Sequence, residues 1–119
     1  MAFDDFDVIV CKVLSYIYAC LRKGVYPNLD KAQEIAQCND VYWKSVIRSM
    51  HDDGYLLGVT FREYLDKGMT PTANPKELGI TQKGARYIEE NSKMAEAKRF
   101  LGTAFEKTLE IAIAASRCL

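Results

Sequence analysis

The sequence predicts a mainly α fold with one small β-hairpin, an α+β class, on three observations. Apolar residues recur at helical spacing over most of the chain, their period drops to two between Tyr55 and Arg62, and a proline-free pattern runs from Ser92 to about Arg117. With 119 residues, 49% of them hydrophobic and 27% charged, the chain is long enough for one cored domain and far from the composition of a disordered one.

The first helix is expected from about Asp5 to Lys23, where Val8, Ile9, Val13, Leu14, Ile17 and Leu21 trace a broad buried face. Asp4, Asp5 and Asp7 at its start and Arg22 and Lys23 at its end complement the helix dipole, and Gly24 stops it. Asn28 offers a cap to a short second helix with Leu29, Ala32, Ile35 and Ala36 on one stripe, ending near Cys38 and Asn39. Asp40 is then read as the cap of a third helix. Its inward residues are Trp43, Val46, Ile47 and Met50, and the cluster Asp52, Asp53, Gly54 ends it. So short a connection lets the two helices cross steeply, the geometry of a helix-turn-helix.

Tyr55, Leu57, Val59 and Phe61 alternate with Leu56, Gly58, Thr60 and Arg62, which reads as a strand. Residues 66–76 hold Gly68, Pro71, Thr72, Asn74 and Pro75, a loop composition, and Leu78 and Ile80 resume a strand, so a hairpin with a long tip is expected. Thr81 caps a fourth helix through about Asn91, and Ser92 a fifth of up to about 26 residues, roughly 39 Å long.

Along that last helix Met94, Ala97, Leu101, Ala104, Thr108, Ile111 and Ala115 follow a three-four repeat, widened by Phe100, Phe105, Leu109, Ala112 and Ile113. A stripe this wide asks for more than one neighbour. One expectation divides the chain into a domain over residues 1–91 and a dimerisation element over 92–119. The homodimer would then meet through Met94, Ala97, Leu101, Phe105, Thr108, Ile111 and Ala112. The other is a terminal helix folded back on the first helix of its own chain.

The order of elements is that of a winged helix-turn-helix with a long C-terminal helix. Two runs strengthen it: Met50-His51-Asp52-Asp53-Gly54-Tyr55-Leu56-Leu57-Gly58-Val59 resembles the end of a recognition helix entering the wing. Ile80-Thr81-Gln82-Lys83-Gly84-Ala85-Arg86-Tyr87-Ile88-Glu89-Glu90-Asn91 resembles the post-wing T-x-K-G-x-x-Y segment. With the short chain and helical tail, the sequence is similar to the YjcQ-type family, small winged-helix proteins of Gram-positive bacteria and their phages. The resemblance implies a bacterial or phage origin and carries no catalytic residue. The segment after Lys98 departs from the short family core.

Turning the apolar face of the third helix inward leaves Tyr42, Lys44, Ser45, Arg48 and Ser49 outward, donors suited to base edges and phosphates. Arg62 at the base of the wing, Lys67 near its tip and Lys76 on its return are placed to reach phosphates, and Asn74 to approach bases. The function expected is a cytoplasmic, DNA-binding transcriptional regulator that holds double-stranded DNA as a dimer and needs no cofactor. The competing expectation is a winged-helix module that binds another protein. Charge tempers the first: 16 basic residues balance 16 acidic ones, and residues 25–54 carry three bases against five acids, net minus two. Residues 81–119, away from the groove-facing helix, carry seven bases against five acids. So few phosphate contacts per copy make pairing of two copies necessary.

Other classes are excluded. Cys11, Cys20, Cys38 and Cys118 lie 9, 18 and 80 positions apart, which is neither a metal site nor a disulfide framework, and free thiols are expected. His51, the single histidine, adjoins Asp52 and Asp53, and neighbours on a helix are not expected to face one another. No glycine-rich phosphate loop or metal-ligand helix occurs, so neither an enzyme nor a metal is expected. The N-terminal residues carry acids where a secretory signal needs bases, and no apolar run approaches the roughly 20 residues of a membrane span, which fits a reducing cytoplasm.

Overall fold

The computed structural model describes residues 1–117. Cys118 lies outside them. The elements are α1 (Phe6–Arg22), α2 (Leu29–Ala36), α3 (Asp40–Asp52), β1 (Leu56–Leu57), β2 (Val59–Tyr64), β3 (Gly68–Ala73), β4 (Gly79–Ile80), α4 (Gln82–Glu90) and α5 (Ser92–Arg117). This is the α+β winged helix-turn-helix with a long C-terminal helix.

Helix α1 is the centre of the molecule. Its face is broader than the apolar spacing suggests: Val10, Cys11, Lys12, Tyr16 and Cys20 are buried with the expected residues, whereas Leu21 is partly exposed. Helices α2, α3, α4 and α5 and strand β4 all pack on it. Burial brings one phenol inside, and its polar atoms are all used. Tyr16 Oη accepts from the Asn28 N–H at 3.0 Å and donates to Ser116 Oγ at 2.6 Å, while Ser116 donates to the Ala112 carbonyl at 2.8 Å. The start of α2 and the end of α5 are thereby tied to one side chain. Cys11 and Cys20 are buried, Cys38 is half-buried, and all three are free; burial pushes each thiol up.

The inward rows of α2 and α3 are as the periodicity predicts, with Leu29, Ala32, Ile35 and Ala36 and with Trp43, Val46, Ile47 and Met50 buried. Two caps shift by one residue. Asn39, not Asp40, accepts from the Tyr42 N–H at 2.8 Å, and Asn91, not Ser92, accepts from the Lys93 and Met94 N–H groups. In each case the amide oxygen one position earlier reaches the unpaired donors of the first turn.

The wing differs from its sequence reading in two respects. Gly58, at φ +77°, breaks the first strand, so alternation restarts: Leu56 is buried, Leu57 is half-exposed and Val59 is buried again. A side chain at Gly58 would also meet the Glu77 carbonyl oxygen at 2.2 Å. The loop-like segment after Asp66 is itself a strand, β3, paired with β2 from Tyr64↔Gly68 to Val59↔Ala73. Its Pro71 is tolerated because β3 is an edge strand, and Thr60 and Thr72 join hydroxyls across the pair at 3.0 Å. The hairpin tip is therefore short, and β1 and β4 close the base of the wing through Leu56↔Ile80 and Leu57↔Gly79.

Helix α5 has its full expected extent but is no rod. Gly102 adopts φ 67° and ψ −160°, a conformation reserved for glycine, and the chain doubles back there. Residues before it run past Cys11, through Met94, to Phe3, whose ring lies 4.8 Å from that of Phe100. Residues after it return along α1 to Tyr16 through Ser116. Both halves enter the core, the first with Met94, Ala97 and Leu101 and the second with Ala112 and Ile113. Folding back covers much of the apolar stripe and leaves Ile111 71% exposed.

Two stability predictions follow from this packing. Tyr16→Phe leaves the Asn28 N–H without its acceptor and lowers unfolding free energy by about 1–3 kcal/mol, measured by urea denaturation. A chain ending at residue 91 bares the flank of α1 and loses the near-ultraviolet circular dichroism of fixed aromatic side chains, instead of yielding a folded, soluble monomer.

Candidate nucleic-acid interface

With its apolar row inward, α3 presents Val41, Ser45 and Arg48 to solvent on the opposite side, Val41 being 80% exposed. The wing is fixed beside this row at two points. Near the C-terminal end of α3, Phe61 of β2 receives the Arg48 guanidinium 5.4 Å above its ring and the His51 ring edge-on at 5.2 Å. Near the N-terminal end, the Lys44 ammonium donates to the Lys67 carbonyl at the wing tip and lies 3.1 Å from Asp40 Oδ2. That lysine's hydrogen bond is the main reason the Asp40 carboxyl is held below the usual aspartate range, with Gln33 donating to its other oxygen.

The expected DNA-binding residues divide accordingly. Ser45 and Arg48 are exposed on α3, and Lys67 is exposed at the wing tip, where it lines a pocket with Asp30, Gln33 and Asp40. Arg48 is 59% exposed and its Nε lies 3.5 Å from Asp52 Oδ2. Lys44 is not a free phosphate donor, because it latches the wing. Tyr42 does not face outward either: its hydroxyl donates to the Asp4 carbonyl at 2.7 Å and its ring packs beside Phe6, bracing the N-terminal segment. Burial pushes this phenol up.

Arg62 lies on the other face of the hairpin. Strand parity sets Phe61 toward α3 and Arg62 away from it, in a shallow pocket with Thr60, Thr72, Asn74 and Glu77. Lys76 is also apart, beside a cleft of about 400 Å³ lined by Lys23, Asn28, Asn74 and Arg117 and by no acid. Sequence reasoning missed Lys23 and Arg117 there. Their helix-end positions suggest only dipole pairing, and no local spacing joins them to Lys76. It missed Val41 because a single exposed apolar residue at a helix start carries no periodic signal.

The residues expected to dimerise are split by the reversal at Gly102. Met94 and Ala97 are fully buried within their own chain, and Leu101 and Ala112 nearly so. Thr108 and Ile111 remain exposed, Phe105 is half-buried against the core, and all three line a cavity facing α2. His51 Nδ1 does lie 3.2 Å from Asp52 Oδ1, contrary to the adjacency argument, but both side chains are exposed. Among the described residues no group of three or more histidine, cysteine or acidic side chains is placed to hold a metal, and no helix is long and apolar enough to cross a membrane.

The Lys44 latch predicts a pH effect of definite sign. Because the folded carboxyl of Asp40 titrates below its unfolded value, its support of the latch is complete above the ordinary aspartate range and is lost as pH falls through the lowered value. In carbon-detected NMR titrations, Lys44→Met should raise the Asp40 midpoint toward that of a free aspartate and speed amide exchange at the wing tip.

The sequence profile described as YjcQ protein matches residues 11–104, most of the chain. No curated protein and no solved structure gives a match. The matched region begins inside α1, takes in the helix-turn-helix, the wing and α4, and ends just past the reversal at Gly102. By that coverage, the chain belongs to the YjcQ family.

Proposed function

We propose that this protein is a DNA-binding transcriptional regulator that lays the exposed row of α3 in the major groove and sets the wing tip on the adjoining backbone. The observation that carries the reading is the exposure of Ser45 and Arg48 on one face of α3, with the wing fixed to that helix at both ends. The side chains suit the task. The Val41 methyls match a thymine methyl, the Ser45 hydroxyl donates or accepts, and the Arg48 fork fits guanine or a phosphate. The Arg48–Asp52 contact is a surface ion pair worth under about 1 kcal/mol, so exchanging it for DNA costs little. Nearby Asp40 and Asp52 weaken non-specific attraction and leave discrimination to the base contacts. The reading is made for one copy, since much of the α5 stripe is buried within its own chain, with Ala104, Thr108 and Ile111 left exposed.

A second reading has one observation in its favour. Tyr64, Leu65 and Met69 expose apolar surface at the wing tip, Leu65 fully, which suits a protein partner. Fluorescence anisotropy separates the two, using duplexes that the protein enriches from a random pool. Arg48→Ala should weaken the enriched duplex about tenfold or more, and Lys67→Ala should reduce the salt slope by about one. Failure to enrich any duplex at low salt would overturn the DNA reading in favour of the wing-tip one.

A further inference from the structure

Lys12 sits in the middle of α1, between the buried residues Cys11 and Val13, and is itself only 4% exposed. A buried ammonium is ordinarily matched by a carboxylate. Here, among the described residues, its polar contact is a single long hydrogen bond, 3.4 Å, to the Ala36 carbonyl at the end of α2, and no acid pairs with it. Leaving water without a counter-charge is costly for such a group. Burial accordingly pushes its pKa down, with only the thiols of Cys38 and Cys11 acting the other way.

The same side chain lines a cavity of about 400 Å³ between α2 and the second half of α5. That volume is in the range of small-molecule sites. The walls are mainly apolar, with Ile35 on one side and Leu101, Phe105, Ile111 and Ala112 on the other. Ile111, 71% exposed, lacks cover on this side. At the rim, the one acid, Glu34, is already held by Lys31 at 2.7 Å, so it does not neutralise Lys12. A greasy cavity with one buried, unmatched cation calls for a ligand with a single anionic head and an apolar body.

We propose that this cavity binds an amphipathic monocarboxylate, with the carboxylate on Lys12 and the hydrocarbon body between Ile35, Phe105 and Ile111. Such an acid supplies the missing counter-charge and covers the exposed wall in one step. The site is separate from the α3 and wing-tip surface, and the inference does not rest on DNA binding.

Isothermal titration calorimetry of the full chain with octanoate and with octanol, both below their aggregation limits, tests it. Octanoate should bind at one site, at least about tenfold more tightly than octanol, since a charge-assisted hydrogen bond is lost with the alcohol. Lys12→Met should erase that preference while octanol still binds, and the variant should unfold at a higher temperature because no charge is buried. Ala104→Trp, at an exposed position on the cavity wall, should block both probes without disturbing the core, and it carries the test if Lys12→Met does not fold. Equal affinity for acid and alcohol in the parent protein, an undiminished preference in Lys12→Met, or unchanged binding in Ala104→Trp would each overturn the proposal. So would failure of both probes with a sedimenting dimer that Ala104→Trp dissociates, which would assign the cavity to a second copy.

Discussion

Ten of the 17 residues of α1 are buried, and that single demand for cover arranges the rest of the molecule. A helix apolar on most of its circumference cannot be satisfied by one neighbour. The helix-turn-helix covers one side, the base of the wing and α4 another, and the two halves of α5 close what remains. Polar groups on such a helix must be answered from within. Tyr16 is answered in full by Asn28 and Ser116, whereas Lys12 is met by one long carbonyl contact. The contrast between these two neighbouring residues separates a closed structural network from a site with an open valence.

The candidate DNA-facing surface depends on the core only indirectly. Burial of Trp43, Val46, Ile47 and Met50 fixes the rotation of α3, and rotation decides that Ser45 and Arg48 face out. The wing is set by Phe61 and by the Lys44 latch rather than by burial at its tip, where Tyr64 and Leu65 are exposed. Two of the bases near this surface are therefore spent partly on architecture: Lys44 holds the tip, and Arg48 rests on an aromatic ring and beside Asp52. On the DNA-binding reading proposed above, such a surface trades phosphate attraction for a fixed presentation.

Much of this was legible in the amino-acid order because helices repeat. The buried rows of α2 and α3 and the outward position of Arg48 and Ser45 all come from the 3.6-residue period. The wing was harder, because a period of two is erased by one irregular residue. Gly58 resets the alternation, so Leu57 and Leu56 exchange faces, and proline and glycine in β3 disguise an edge strand as a loop. Tyr42 faces outward by period alone, but the N-terminal residues fold over it, a contact across 38 positions with no local trace. Lys12 left a readable sign: it lies four residues from both Val8 and Tyr16, a charge inside an apolar row. Its cavity was not readable, since that requires the second half of α5 to return along α1.

That return has a consequence for how the protein comes into being. Tyr16 and Ser116 meet across 100 positions, so α1 receives its final covering from a segment that leaves the ribosome about 100 residues later. Throughout translation the greasy flank of α1 is exposed or held in provisional contacts, the condition in which nascent chains associate wrongly or engage chaperones. Synthesis of the second half of α5, rather than early formation of α1, is thus the step that closes this flank.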